Sequence, residues 1–192
     1  MKSLLITAAQ LQRFFLEQQW RFCFIGGIAL QRWGEPRLTV DIDVSLLTGL
    51  GSEQLYVDAL CRQYEPRIPD ARQFALEHRV LLLQSGDRIP LDIALAAFPY
   101  EELVIQRATG FEFVAGTPLR TCSAEDLVIL KAFADRARDW ADIEGILVRQ
   151  GSTMDRGYIA QHLPALCELK QNPDIIDKLN RMYTHLDQLD GA

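Results

Sequence analysis

The chain has 192 residues, 48% hydrophobic and 24% charged, and its net charge of −6 is shared evenly between residues 1–115 and 116–192. This composition suits a globular protein with a real core. There is no basic tail or stripe of the kind that grips a DNA duplex nonspecifically, although a local patch for RNA remains compatible with an acidic total. No run approaches the roughly 18 consecutive apolar residues of a membrane span, and residues 1–10 lack the apolar stretch of a secretory signal, so a cytoplasmic location is expected. Cys23, Cys61, Cys122 and Cys167 are scattered and form no C-x-x-C pair. That spacing predicts reduced, mostly buried thiols rather than a zinc site or a disulfide framework.

In chain order, Leu11, Phe14, Phe15 and Trp20 give residues 7–20 a helical apolar face. Residues 21–25 read as a strand ended by Gly26-Gly27, and residues 28–33 as a short helix closed by Gly34 and Pro36. Residues 38–47 read as a second strand, in which Val40, Ile42 and Val44 alternate with Thr39, Asp41, Asp43 and Ser45. Period two puts Asp41 and Asp43 on one face. Ser52 opens a helix to about residue 64, and Pro66 and Pro69 interrupt it before Asp70 caps a shorter helix to residue 77. Residues 79–84 and 89–96 are two strands joined across Ser85-Gly86-Asp87, a hairpin signal. A helix over 99–106 and short edge strands over 110–114 and 119–121 complete a mixed α/β core.

Ser123 and Asp126 then form a capping box for one long helix to about residue 149. On an unbroken helix Lys131, Asp135, Arg138 and Asp142 share a face, either as a functional row or as salt-bridged surface. Two further helices, 154–169 and 173–189, follow Gly151. The expected organisation is an α+β mixed-sheet core over residues 1–121 and a helical subdomain over 122–192. Trp20, Trp33 and Trp140 read as core. His78, His162 and His185 show no ligand or triad spacing and read as surface or packing residues.

The chemistry gathers at three places. A strand, a Gly-Gly and a helix present backbone N–H groups that suit phosphate oxygens, and the same pair also serves as a plain turn. Asp41 and Asp43, two apart on a strand, suit a hard cation, the other reading being an edge strand with a wet polar face. Asp92, alternating with aliphatic residues over 90–94, repeats the pattern, and a neighbouring strand would bring it beside the first pair. Three carboxylates there would hold two magnesium ions against a triphosphate. Lys131 is one of only four lysines, set among Leu130, Ala132 and Phe133, and reads either as a phosphate-facing cation or as a surface residue. Arg37, just before the acidic strand, either touches phosphate or pairs with Asp41.

Gly26-Gly27, thirteen residues, Asp41-Ile42-Asp43, and later Leu91-Asp92-Ile93 resemble the nucleotidyltransferase superfamily, the DNA-polymerase-beta-like fold. The stretch 123–131 ending in Lys131, with Arg136-Ala137-Arg138-Asp139-Trp140-Ala141-Asp142, is similar to the branch containing AbiEii and MenT-type toxins. The resemblance implies a nucleotidyltransferase-like core with a C-terminal helical bundle, and magnesium-dependent transfer of a nucleoside monophosphate to an acceptor hydroxyl. It implies Asp41, Asp43 and Asp92 as magnesium ligands for two ions, with Asp92 also accepting the acceptor's proton. Gly26 and Gly27 would hold phosphates, and Lys131 would neutralise their charge as a catalytic group. Arg37 and Asp139 join the nucleotide site. The acceptor, whether tRNA, protein or small molecule, is left open, and an antitoxin protein is an implied partner. Gly27 departs from relatives with serine there, and Ala132-Phe133 from toxins with a hydroxyl after the lysine.

Two other classes compete. Val40 to Leu47 also looks like the nucleophile motif of haloacid-dehalogenase-type phosphatases, but no lysine stands between Asp43 and Asp87 to steady a phosphoaspartate. A non-catalytic nucleotide- or protein-binding module on the same fold is the other alternative, and the intact three-acid set speaks against it.

Overall fold

The computed structural model describes residues 2–190. The chain divides into two compact units, residues 1–29 with 37–123, and residues 30–36 with 124–192. In the first unit, α1 (Lys2–Glu17), β1 (Phe22–Phe24), α2 (Gly26–Trp33, whose last turn is counted in the second unit) and β2 (Ile42–Leu47) come first. They are followed by α3 (Glu53–Gln63), β3 (Glu65–Pro66), α4 (Ala71–His78), β4 (Val80–Gln84), β5 (Pro90–Ala96), α5 (Pro99–Arg107), β6 (Thr109–Val114) and β7 (Thr117–Thr121).

Among the described residues the strands form one seven-stranded sheet in the order β3-β4-β5-β2-β1-β7-β6. The pairs β2–β5 and β1–β7 are parallel and the others antiparallel. One sheet face is apolar because period two collects Phe22 and Phe24, Ile42, Val44 and Leu46, Leu81 and Leu83, and Leu91, Ile93 and Leu95 on it. These pack in one core with Leu4, Ala8, Leu11 and Phe15 of α1, Val57 and Leu60 of α3, and Ala71 and Ala75 of α4. The other face is left for polar residues, and Asp43 and Asp92 lie there.

Four expectations from the sequence change here. The first helix starts at Lys2 and stops at Glu17, so Trp20 lies beyond it, half-buried, its ring 4.7 Å from that of Tyr56. Trp33 is likewise only half-buried, with the Arg32 guanidinium 3.9 Å over its ring. Residues 38–41 are not strand, because β1 and β5 pair with β2 only from Val44 and Ile42 onward; without a neighbour to bond, the chain leaves the ladder and Leu38 and Val40 stand exposed. Strand β7 is not an edge, since it lies between β1 and β6.

The second unit holds α6 (Ala124–Ala134), α7 (Ala137–Gln150), a 3-10 turn (Gly151–Thr153), α8 (Arg156–Lys170) and α9 (Asp174–Asp190). Helix α6 is apolar almost all round and packs against α7, α8 and α9, the position such a helix requires. The long helix expected over 123–149 is therefore two. Asp135 takes a left-handed conformation at φ 58°, and its carboxylate accepts from Trp140 Nε1 at 2.6 Å, Asn172 Nδ2 at 3.1 Å and Lys178 Nζ at 3.5 Å. These partners, all from the chain beyond the break, fix the bend.

The Trp140 hydrogen bond, ahead of the nearby lysines, holds the Asp135 carboxyl below its ordinary value of 3.8. A depressed carboxyl stabilises the fold fully above its ordinary value, and that contribution is lost as pH falls through the lowered one. Asp135→Asn should accordingly lower the midpoint of chemical unfolding at pH 7, with the difference from wild type shrinking toward pH 3. Equal differences at both pH values would contradict this.

Candidate active site

The polar face of the first unit's sheet carries one row of side chains across three strands and the residue that follows a fourth. Parallel pairing sets Asp43 of β2 directly beside Asp92 of β5, and antiparallel pairing sets Asp92 beside Leu82 of β4. Arg67, which immediately follows β3, donates its backbone N–H to the Leu82 carbonyl at 3.0 Å. Adjacent strands are about 4.8 Å apart, so Arg67 stands two strands from Asp92, a span that an arginine side chain covers. It does so over Leu82, and its Nη2 pairs with Asp92 Oδ1.

Asp43 is positioned by the glycine turn. Gly26 lies at φ +53°, and a Cβ there would stand 2.6 Å from Asp43 Cγ and 2.8 Å from its Cβ. Only glycine admits both that backbone and that carboxylate. Gly27, next in the first turn of α2, donates its N–H to Asp43 Oδ2 at 3.4 Å, and the Ile25 N–H donates to the Asp43 carbonyl at 3.0 Å. A Cβ on Gly27 would meet Thr39 Cβ at 2.7 Å. The glycine pair thus seats Asp43 against a helix N-terminus, where a negative charge is favoured. Gly26→Ala should lose about 1–3 kcal/mol of stability from strain alone and push the Asp43 carboxylate aside, read as a lower melting temperature. A melting temperature unchanged from wild type would contradict the crowding.

Asp41 precedes β2 by one residue and is half-buried. The buried Thr39 donates its Oγ1–H to Asp41 Oδ1 at 2.8 Å, which fixes the carboxylate without a strand to hold it. Asp92 feels the cluster: burial pushes its carboxyl up, Arg67 pulls it down, and the Asp41 charge pushes it up again, with a net rise. Arg37 is half-buried and donates from Nη1 to the Leu38 carbonyl at 3.4 Å.

Three carboxylates are the hard oxygen donors that magnesium takes, and the lateral pairing of Asp43 with Asp92 sets two of them at one point of the sheet, with Asp41 close enough to act on Asp92. Among the described residues no three His, Cys, Asp or Glu side chains form a ready-made metal-ligand group, and Asp92 is engaged by Arg67. The donor chemistry fits a divalent cation, while the three carboxylates fall short of a formed ligand group and Arg67 engages one of them.

In the second unit Lys131 is buried, and its ammonium donates to Asp142 Oδ2 at 2.7 Å and to Asp139 Oδ1 at 3.1 Å, both carboxylates being buried too. Arg136 Nε reaches Asp139 Oδ2 at 2.6 Å. The break at Asp135 replaces the expected row of Lys131, Asp135, Arg138 and Asp142 with this cluster across two helices. Lys131 is therefore not a solvated surface lysine. Sequence reasoning missed Arg67 and Thr39. A strand of two residues has no readable period, so Pro66-Arg67 looked like a loop between prolines; Thr39 looked like one more strand position.

The family described as "Nucleotidyl transferase AbiEii toxin, Type IV TA system" matches residues 8–182. The chain belongs to this AbiEii nucleotidyltransferase family. It is a nucleotidyltransferase, and the AbiEii match runs through the glycine turn, the three aspartates and the Lys131 cluster alike. Among solved structures, an antigenic nucleotidyltransferase-like protein from Paracoccidioides brasiliensis is similar at 15% identity and a TM-score of 0.52, covering 94% of this chain and 93% of its own. That likeness is one of fold. The antibiotic-resistance factor ANT(2'')-Ia in complex with adenylyl-2''-tobramycin shares 19% identity over 93% of this chain and 95% of its own, at a TM-score of 0.48, too distant to bear on this AbiEii-family chain. No curated protein matches the chain in sequence.

Proposed function

We propose that this chain transfers a nucleoside monophosphate from a nucleoside triphosphate to an acceptor hydroxyl, as the toxin of a toxin–antitoxin pair. The observation that carries the reading is the lateral pairing of Asp43 with Asp92 beside a glycine turn that only glycine can make. The acceptor oxygen forms its bond to the α-phosphorus as the bond to the bridging oxygen breaks, and the bonding pair leaves with pyrophosphate. Asp92 takes the hydroxyl proton, a role suited to a carboxyl already raised by burial. Asp41 and Asp43, with Asp92, would hold the divalent cation, taken as magnesium and as two ions. Magnesium, when bound, supplies neutralising charge for the phosphates and a more acidic hydroxyl.

The backbone N–H groups at the start of α2 and the Arg37 guanidinium serve the phosphates. An ammonium carries three donors, of which two carboxylates engage two at Lys131. By the family resemblance Lys131 neutralises phosphate charge, and within its own unit Asp139 holds the ammonium in place. The acceptor is an RNA such as tRNA, a protein or a small molecule, and an antitoxin protein is the partner. Among the described residues no helix is long and apolar enough to cross a membrane.

The test incubates the protein with each of the four α-labelled ribonucleoside triphosphates and a lysate separated into RNA, protein and small-molecule fractions. Label should enter one fraction, with one preferred base, and a chelator should stop it. Label in no fraction with any triphosphate would overturn the proposal.

A further inference from the structure

Arg67 has no part in the proposed transfer step, yet its guanidinium sits on the third carboxylate of the site. Its side chain is 27% exposed and that of Asp92 33%, so the pair lies at the edge of the polar face, open to solvent. Its Nε is buried and has no hydrogen-bond partner among the described residues. Such a donor is costly to leave unmade, which marks this arrangement as one that a further acceptor would improve. The backbone of Arg67 is anchored to Leu82 independently of the side chain. The guanidinium can therefore leave Asp92 without disturbing the sheet.

We infer that Arg67 is a positioning residue that holds Asp92 as a stand-in cation, so that a divalent ion enters the site only by taking Asp92 from the guanidinium. The inference rests on the assignment of Asp43 and Asp92 as metal ligands. Physically, two cations share one carboxylate, and each weakens the other's hold on it. A carboxylate row with no cation would repel itself, since Asp43 and Asp92 stand side by side on adjacent strands. Arg67 relieves that repulsion and keeps Asp92 aimed along the row. Once displaced, the guanidinium is a planar donor set beside the cation, and the acceptor that its geometry suits is a phosphate oxygen of the incoming triphosphate.

The test is Mn2+ binding to the intact chain without nucleotide, followed by the electron paramagnetic resonance of the free ion. Arg67→Gln should bind Mn2+ about two- to fivefold more tightly than wild type, the worth of a part-exposed ion pair. In an Asp92→Asn background the same substitution should change nothing, because the carboxylate under competition is gone. A gain that persists there is a general charge effect and overturns the inference. Equal affinity of wild type and Arg67→Gln overturns it as well. Arg67→Met, which keeps the length of the side chain, repeats the measurement on a second variant, and far-ultraviolet circular dichroism of both confirms the fold. Asp43→Asn separates the two levels. If it fails to weaken Mn2+ binding, the metal-ligand reading itself fails; if it weakens binding while Arg67→Gln has no effect, only the role of Arg67 does.

Discussion

Asp43→Asn should reduce nucleotide transfer by about 10³-fold while leaving the protein folded. Asparagine has the shape of aspartate, and its amide oxygen can still accept the Gly27 N–H, so the seat built by Gly26 and Gly27 survives. What is lost is the negative charge next to Asp92. Removing one of several like charges on the polar face relieves repulsion, so the melting temperature should stay level or rise. This opposite movement of activity and stability is the mark of a residue kept for chemistry. A loss of activity accompanied by an equal loss of folded protein would assign Asp43 to structure. The transfer assay and a thermal melt on the same preparation decide between them.

Lys131→Met should destabilise the chain by about 3–5 kcal/mol, because it leaves Asp139 and Asp142 buried with no shared cation. Arg136 still reaches Asp139 but is itself mostly exposed, at 76% for its side chain, so water screens its charge and it replaces little of what Lys131 supplies. Replacing all three charges with apolar side chains of similar volume should restore most of the stability, since a buried ion cluster is costly to break and cheap to replace. Urea unfolding at pH 7 measures both. A single-variant loss below about 1 kcal/mol, the size of a surface pair, would show that the cluster is not buried as described. If the triple variant is stable and still binds nucleotide as wild type does, Lys131 has no part in the phosphate site.

Much of this was readable in the residues, for physical reasons that can be named. The hairpin across Ser85-Gly86-Asp87, the glycine turn after β1 and the alternation around Asp43 and Asp92 depend on neighbours a few positions away. Pairing β2 with β5 needed only the assumption that acids on two strands share one cation. The break between α6 and α7 was hidden because Ala134 to Ala137 has no glycine or proline, and the contacts that bend it come from Trp140, Asn172 and Lys178. No local period reports such partners. Asp41 left the strand for a similar reason: a ladder requires a neighbour, and neither β1 nor β5 reaches it. Arg67 was invisible because β3 is two residues long and its meaning comes from the row across β4 and β5. The chemistry-bearing types were legible, and the cations that partner them in the fold were not.

The central claim is transfer of the nucleoside monophosphate, and one comparison tests it most directly. The protein is given the same triphosphate labelled either at the α- or at the γ-phosphate, with magnesium and the acceptor fraction, and wild type is run beside Asp43→Asn. Attack at the α-phosphorus predicts that wild type places the α-label in the acceptor, that the γ-label appears only in pyrophosphate, and that Asp43→Asn does neither. Label from the γ-position in the acceptor, or α-label transferred equally by Asp43→Asn, would contradict the account.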